Sequence, residues 1–341
     1  MDRPTLRDVF AAARAVEGLV RRTPLVASDA LAGAAGGQAY LKLENLQVTG
    51  AFKARGAANA LAGLDAERRA RGVIAVSTGN HGRAVATAAR RLGVRATVCV
   101  SERVPEDKIA ALRATGCEVV IAGDSQDDAE GHARRLVEER GVTLVHPFDD
   151  ASVIAGQGTV GLEILEDLPE LRRIVVPLSG GGLIAGVALA IKSADPTVRV
   201  VGVSMERGPA MARSLRAGHP VPTPEEPTLA DSLQGGIGEH NRYTLTMVGE
   251  LVDDVVLVSE EAIARAMRFG FLQERQVLEG AAAVGIAALL EGALPEMEGP
   301  TAVVCSGGNI DPERFLAIIG GAEAPAEPGA VPAASGGEGA S

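Results

Sequence analysis

Ile174-Val175-Val176-Pro177-Leu178-Ser179-Gly180-Gly181-Gly182-Leu183 runs a short β-branched strand into four small residues, then into the apolar helix that Leu183 opens. A strand, a glycine turn and a helix in that order form half of a parallel α/β unit. Consecutive glycines let backbone N–H groups crowd around an anion, and the helix N-terminus adds partial positive charge. An ordinary glycine-rich turn would need only one such residue, so the stretch reads as an anion site. Gly180-x-Gly182-x-x-Ala185 also fits a dinucleotide fingerprint, with Glu206 beyond the next strand as the ribose-binding acid. A phosphate-bearing cofactor and a nucleotide therefore both remain open from this stretch alone.

The same rhythm extends along the chain. Val73–Val76, Ala96–Val100, Val119–Ile121, Leu144–Val145, Val198–Val203, Val255–Val258 and Ala302–Val304 read as short buried strands. Arg83–Leu92, Asp107–Ala114, Asp127–Arg140 and Glu260–Gln273 carry helical periodicity between them. The expected fold is α/β, with open, twisted, mostly parallel sheets covered by helices on both faces. Ligands in such sheets sit beyond the carboxyl ends of the strands. Residues 206–240, with Pro209, Pro220, Pro222, Pro224 and Pro227, read as a long surface connection or lid-like loop.

Composition narrows the function. The chain has 341 residues, a net charge of -11, 46% hydrophobic and 2% aromatic residues, and no Trp. That balance argues against nucleic-acid binding, which needs concentrated positive charge or aromatic platforms. No apolar run is long enough to span a bilayer, and no secretory leader is evident, so a cytoplasmic enzyme is expected. Cys99, Cys117 and Cys305 read as buried thiols, not a disulfide or a metal site.

Three further motifs supply chemistry. Thr49-Gly50-Ala51-Phe52-Lys53-Ala54-Arg55-Gly56-Ala57 sets one of the chain's few lysines among small residues, where burial or a neighbouring cation such as Arg55 would free its amine to form an imine. Ser77-Thr78-Gly79-Asn80-His81-Gly82 offers hydroxyls, an amide and N–H groups at a strand-to-helix turn, with Ser77 or Thr78 able to cap the helix. His81 reads as a residue that packs or orients this loop. Ser306, in Cys305-Ser306-Gly307-Gly308-Asn309, and Glu279, at a small-residue helix start, complete the set. Taken singly these are a turn serine and a helix-dipole acid. An amine, a polar loop, a phosphate cradle and a late hydroxyl together are the parts that hold pyridoxal 5′-phosphate.

These motifs, in this order over roughly residues 5–320, resemble the threonine dehydratase and serine racemase family of fold type II pyridoxal-phosphate enzymes. Thr49–Ala57, Ser77–Ala84, Val203–Met211 and Gly235–Thr244 are most similar to the hydroxyectoine-utilisation dehydratase branch. The resemblance implies two lobes: residues 1–71 with 149–320 as a large cofactor-binding domain, and 72–148 as a small mobile domain. A disordered tail is expected over 321–341, and the length after the catalytic lobe suggests no regulatory domain. It implies Lys53 as the Schiff-base lysine that also shuttles the Cα proton, Phe52 beside the ring and Asn80 on the phenolic oxygen. Ser179, Gly180, Gly181, Gly182 and Leu183 would cradle the phosphate, and Ser306 would meet the pyridine nitrogen. Ser77, Thr78, Gly79 and His81 would hold the substrate carboxylate, with Glu279 at the substrate and Thr78 as a second catalytic group.

A hydroxyl at the pyridine nitrogen disfavours full charge delocalisation and suits loss of water from a small β-hydroxy amino acid, through an enamine to a 2-oxo acid and ammonia. An amino-acid racemase on the same scaffold is the alternative. Ser204 and Ala210 stand where a racemase-like Mg²⁺ site needs acids, so no metal is expected. Ala51, Thr78, Ser232 and Gly280 depart from the family's usual Ser, Ser or Ala, Gly and Pro, which points away from plain L-threonine. A homodimer is the family's usual form.

Overall fold

The computed structural model describes residues 3–294 and 299–321. Ten strands form two sheets: β1 (Leu25–Ala27), β2 (Ala39–Leu43), β3 (Val73–Val76), β4 (Ala96–Val100), β5 (Glu118–Ile121), β6 (Thr143–Leu144), β7 (Arg173–Pro177), β8 (Arg199–Met205), β9 (Asp254–Val258) and β10 (Thr301–Cys305). The larger sheet has the order β1-β2-β10-β7-β8-β9, and the smaller β5-β4-β3-β6. All pairings are parallel except β1 with β2. The α/β class with helices on both faces is as the sequence indicates.

Strand alternation decides which residue enters which core. In β7, Ile174 and Val176 point to one face and Val175 to the other; in β10, Ala302 and Val304 share the first face and Val303 the second. The first face is covered by helices Leu6–Ala15, Ala151–Asp167, Gly182–Ala194 and Thr244–Leu251. The second is covered by Asp29–Ala35, Glu260–Leu272, Gly280–Leu290 and Pro312–Gly320. Around the smaller sheet, Val73, Ala75, Val85 and Ala89 pack with Ala57, Ala58 and Leu61 of helix Lys53–Ala62. That helix also lies backbone-close on Ala151–Asp167: a Cβ at Gly156 would come 2.7 Å from the Arg55 carbonyl oxygen. The lysine helix is thus a wall shared by both halves of the molecule.

Several expectations need correction. β1 and β2 are not evident from apolar runs, because β2 carries the buried Lys42. The connection at 206–240 is not simply a surface excursion. It contains helix Ala210–Ala217, and Ala230, Leu233 and Ile237 are buried. Cys99 and Cys305 are buried free thiols, whereas Cys117 is half-buried. The tail expected beyond Gly321 lies outside the described residues. Among the described residues, no helix is long and apolar enough to cross a membrane.

Candidate active site

Five strand ends of the two sheets, those of β2, β3, β6, β7 and β10, converge on one site. Lys53 begins its helix just beyond the turn that follows β2. Its Nζ donates to the Pro147 carbonyl oxygen at 2.6 Å and lies 5.2 Å from the centre of the Phe52 ring. Burial lowers the Lys53 ammonium to about 8, against the opposing pull of the Glu279 carboxylate. The expected help from Arg55 is not there. Arg55 turns the other way into a largely buried network, donating to Glu44, Glu163 and Thr159. Lys42 joins the same network through Glu163 and the Thr23 carbonyl oxygen.

Pro147, which holds the amine, is followed by Phe148, and Phe148 packs on the glycine turn after β7. A Cβ at Gly180 would fall 2.4 Å from the Phe148 ring, and one at Gly182 2.7 Å from the Phe148 carbonyl oxygen. Gly181 takes φ +88, a left-handed conformation that side chains disfavour. Helix Gly182–Ala194 starts here. Among the described residues no acceptor meets the N–H groups of Ser179, Gly180, Gly181, Gly182 or Leu183. Unpaired donors at a helix N-terminus are what a phosphate requires.

Beyond β3, Ser77, Thr78 and Gly79 form the turn into helix Asn80–Leu92. Neither hydroxyl caps that helix: Gly79 is the cap residue, and Ser77 Oγ accepts from its N–H at 3.2 Å. Thr78 is half-buried and makes no side-chain hydrogen bond among the described residues. Asn80 Nδ2 donates to both Glu279 oxygens, at 2.9 and 3.2 Å. His81 is buried, its Nε2 bonded to the Val145 carbonyl oxygen at 2.8 Å, and burial lowers it to about 3. A neutral ring so committed anchors the turn to the strand end after β6; it is not presented as a donor to a carboxylate.

Glu279 precedes helix Gly280–Leu290 and is 4% exposed. It does not cap that helix but reaches back to Asn80 and to the Asn309 N–H. Burial raises its carboxyl to about 7, although the Asn80 hydrogen bond opposes the shift. Ser306, after β10, is 3% exposed, and its hydroxyl has no partner among the described residues. The Ser306 carbonyl oxygen accepts from Phe52 N–H at 3.0 Å, so the loop after β10 and the lysine turn are joined by backbone. The structure therefore gathers Lys53, Phe52, Asn80, Glu279, Ser306 and, through Phe148, the Ser179–Leu183 turn. Sequence reading missed Pro147, Phe148, Asn309 and Arg83, whose contacts reach across the chain and carry no local motif.

Two sheets that turn their carboxyl ends toward a half-buried amine, a ring of unpaired N–H groups and an unpartnered hydroxyl define an enzyme that binds a phosphorylated aldehyde. The model of the family described as pyridoxal-phosphate dependent enzyme matches residues 16–307, and the chain belongs to that family. It is 51% identical over 317 residues to a putative threonine dehydratase of Sinorhizobium fredii, covering 93% of this chain and 96% of that one. It is 47% identical to an L-threonine ammonia-lyase of Thermotoga maritima, covering 92% of this chain and 78% of that one. The solved serine racemase of maize superposes with a TM-score of 0.87 at 34% identity, covering 92% of this chain and 95% of that one. The protein is thus a pyridoxal-phosphate-dependent lyase, and the dinucleotide reading of Gly180–Ala185 gives way.

Proposed function

We propose that the chain is a deaminating dehydratase (an ammonia-lyase) that removes water from a small β-hydroxy amino acid to give a 2-oxo acid and ammonia. The observation that carries this reading is the hydroxyl of the buried Ser306, unpartnered among the described residues, the group that would face the cofactor's ring nitrogen in place of a carboxylate. The bound pyridoxal phosphate supplies the aldehyde that captures the substrate amine and the ring that takes up negative charge from Cα. Everything else falls to the chain. Lys53 Nζ, already near neutrality at about 8, is suited to take the Cα proton and to return it. The N–H groups of Ser179, Gly180, Gly181, Gly182 and Leu183 hold the phosphate, and Phe52 lies beside the ring.

Asn80 donates to the phenolic oxygen. Ser77, Thr78 and Gly79 hold the substrate carboxylate, with His81 keeping that turn in place. Glu279 borders the substrate. Because a hydroxyl does not force the ring nitrogen to stay protonated, elimination at Cβ is favoured over transamination.

Thr78 supports a second reading as a racemase. Among the described residues its hydroxyl has no partner, and racemases are among the structural relatives. The likeness of Val203–Met211 and Gly235–Thr244 to hydroxyectoine-utilisation dehydratases supports a hydroxyectoine-derived amino acid as the substrate. Residues 72–148 are proposed to move as a small domain over 1–71 and 149–320, in a cytoplasmic homodimer.

The test is product analysis on the purified holoenzyme with threonine, serine and hydroxyectoine-derived diamino acids. Ammonia with an oxo acid is expected. Release of only the opposite enantiomer would establish the racemase. The near-visible absorption band of the bound cofactor is expected to disappear in Lys53→Ala, and its persistence there without added amine would overturn the role of Lys53.

A further inference from the structure

Asn309 makes a set of bonds that no cofactor contact explains. Its Nδ2 donates to the Thr49 carbonyl oxygen at 2.8 Å and to Asn80 Oδ1 at 2.7 Å. Its Oδ1 accepts from Arg83 Nη1 at 3.2 Å. The orientation of this amide is fixed by chemistry at both ends, because a guanidinium can only donate and a carbonyl can only accept. Gly50 is shaped around it: a Cβ there would fall 2.5 Å from Asn309 Oδ1, on a backbone with φ +74.

The fixed direction passes on to Asn80. With its Oδ1 held on the Asn309 side, the Asn80 amide is turned so that Nδ2 faces Glu279 and the site. The two Glu279 oxygens lie on one side of that nitrogen and share one of its N–H groups, which leaves the second for a ligand. We infer that Arg83 and Asn309 are positioning residues, which lock the Asn80 amide with its N–H groups, not its oxygen, toward the cofactor's phenolic oxygen. The inference rests on the proposed contact between Asn80 and that oxygen. It also ties three parts of the chain to one amide: the lysine loop through Thr49, helix Asn80–Leu92 through Asn80 and Arg83, and the loop after β10.

The decisive variants reverse polarity, and Asn309→Asp does so at constant size. Asn309→Asp keeps the acceptor for Arg83 but puts an acceptor where Asn80 Oδ1 and the Thr49 oxygen need a donor. Arg83→Glu puts an acceptor where Asn309 needs a donor and drives its amide to turn over; Arg83→Gln keeps a donor and serves as the rescue. Each variant is titrated with pyridoxal phosphate by absorbance, with circular dichroism and melting followed in parallel.

Asn309→Asp and Arg83→Glu are expected to weaken cofactor binding by at least about tenfold, the scale of one charge-assisted hydrogen bond. They should also move the near-visible band, while Arg83→Gln stays near wild type. Wild-type affinity and band position in a folded Asn309→Asp or Arg83→Glu protein would overturn the inference. Asn80→Ala separates the two levels. If it alone leaves affinity and band unchanged, the Asn80 contact itself is wrong; if it changes both while the Arg83 and Asn309 variants do not, only the positioning role fails.

Discussion

Lys53 and Glu279 face each other across the site, and burial drives both toward neutrality, the amine to about 8 and the carboxyl to about 7. A carboxyl whose folded-state value is raised contributes stability that is full below its ordinary value near 4.5 and is lost as pH rises through about 7. Glu279→Gln removes that liability. In protein stripped of cofactor, the variant is expected to gain as much as roughly 3 kcal/mol over wild type at pH 8 and little at pH 5. Urea unfolding at the two pH values measures it, and an equal difference at both would show that Glu279 does not titrate on folding. At this scale the sequence is informative where a chemical residue sits among small ones at a strand end, as Lys53, Asn80 and Ser306 do. Asn309 and Arg83 are not legible in the same way. Their partnership spans 226 residues, and an asparagine directly after a glycine pair looks like any turn residue.

Helix Lys53–Ala62 shows how one turn can carry a functional group on one side and a structural charge on the other. Two residues past Lys53, the Arg55 guanidinium is 0% exposed and meets Glu44, Glu163, Thr159 and Thr23. Burial opposes the charges of Lys42, Glu44 and Arg55. Even so, Arg55 holds the Glu44 carboxyl below its usual value, and Glu44 and Glu163 raise Arg55. Lys42 is lowered by burial despite Glu163. Two cations and two anions balance, so removing one is costly while the pairs together add little.

Arg55→Met is expected to lose about 3–5 kcal/mol of stability, read from the urea midpoint, because two buried carboxylates are left with Lys42 alone. The near-visible band of the surviving holoenzyme should stay in place; a shifted band would mean that Arg55 tunes Lys53 after all. The sequence placed Arg55 near the amine because the two are adjacent in the motif. On a helix, however, residues two apart point about 200° apart, and the partners waiting on that side are Glu44, just after β2, and Thr159 and Glu163 on helix Ala151–Asp167, more than 100 residues away. β2 itself was hidden for the same reason, since Lys42 breaks the apolar run that marks a buried strand.

For the molecule as a whole, charge and topology choose the working end. A cavity of about 750 Å³ lies at the amino ends of β3, β4 and β5, lined by Arg71, Arg90, Arg95 and Arg140 among others. Four helices end around it, and their carbonyl groups disfavour anions. The arginines are used on those ends: Arg95 donates to the Ala70 carbonyl oxygen and Arg71 to that of Gly141. The opposite, carboxyl ends of the strands carry the unpaired N–H groups and the amine. There the smaller sheet is tied to the larger by few polar contacts: Asn80 to Glu279, Asn309 to Asn80 and Arg83, and Lys53 to Pro147.

In the proposed reading, a ligand that engages Lys53 takes the place of its bond to Pro147 and adds contacts to the Ser77–Gly79 turn. Binding energy is then available to move one sheet relative to the other. In the holoenzyme, a non-reactive amino-acid analogue is expected to slow amide hydrogen exchange in residues 77–82 and 145–149, while β7, β8 and β10 keep their free-enzyme rates. Unchanged exchange at 77–82, or equal protection of both sheets, would show that the smaller sheet does not move against the larger when the site fills.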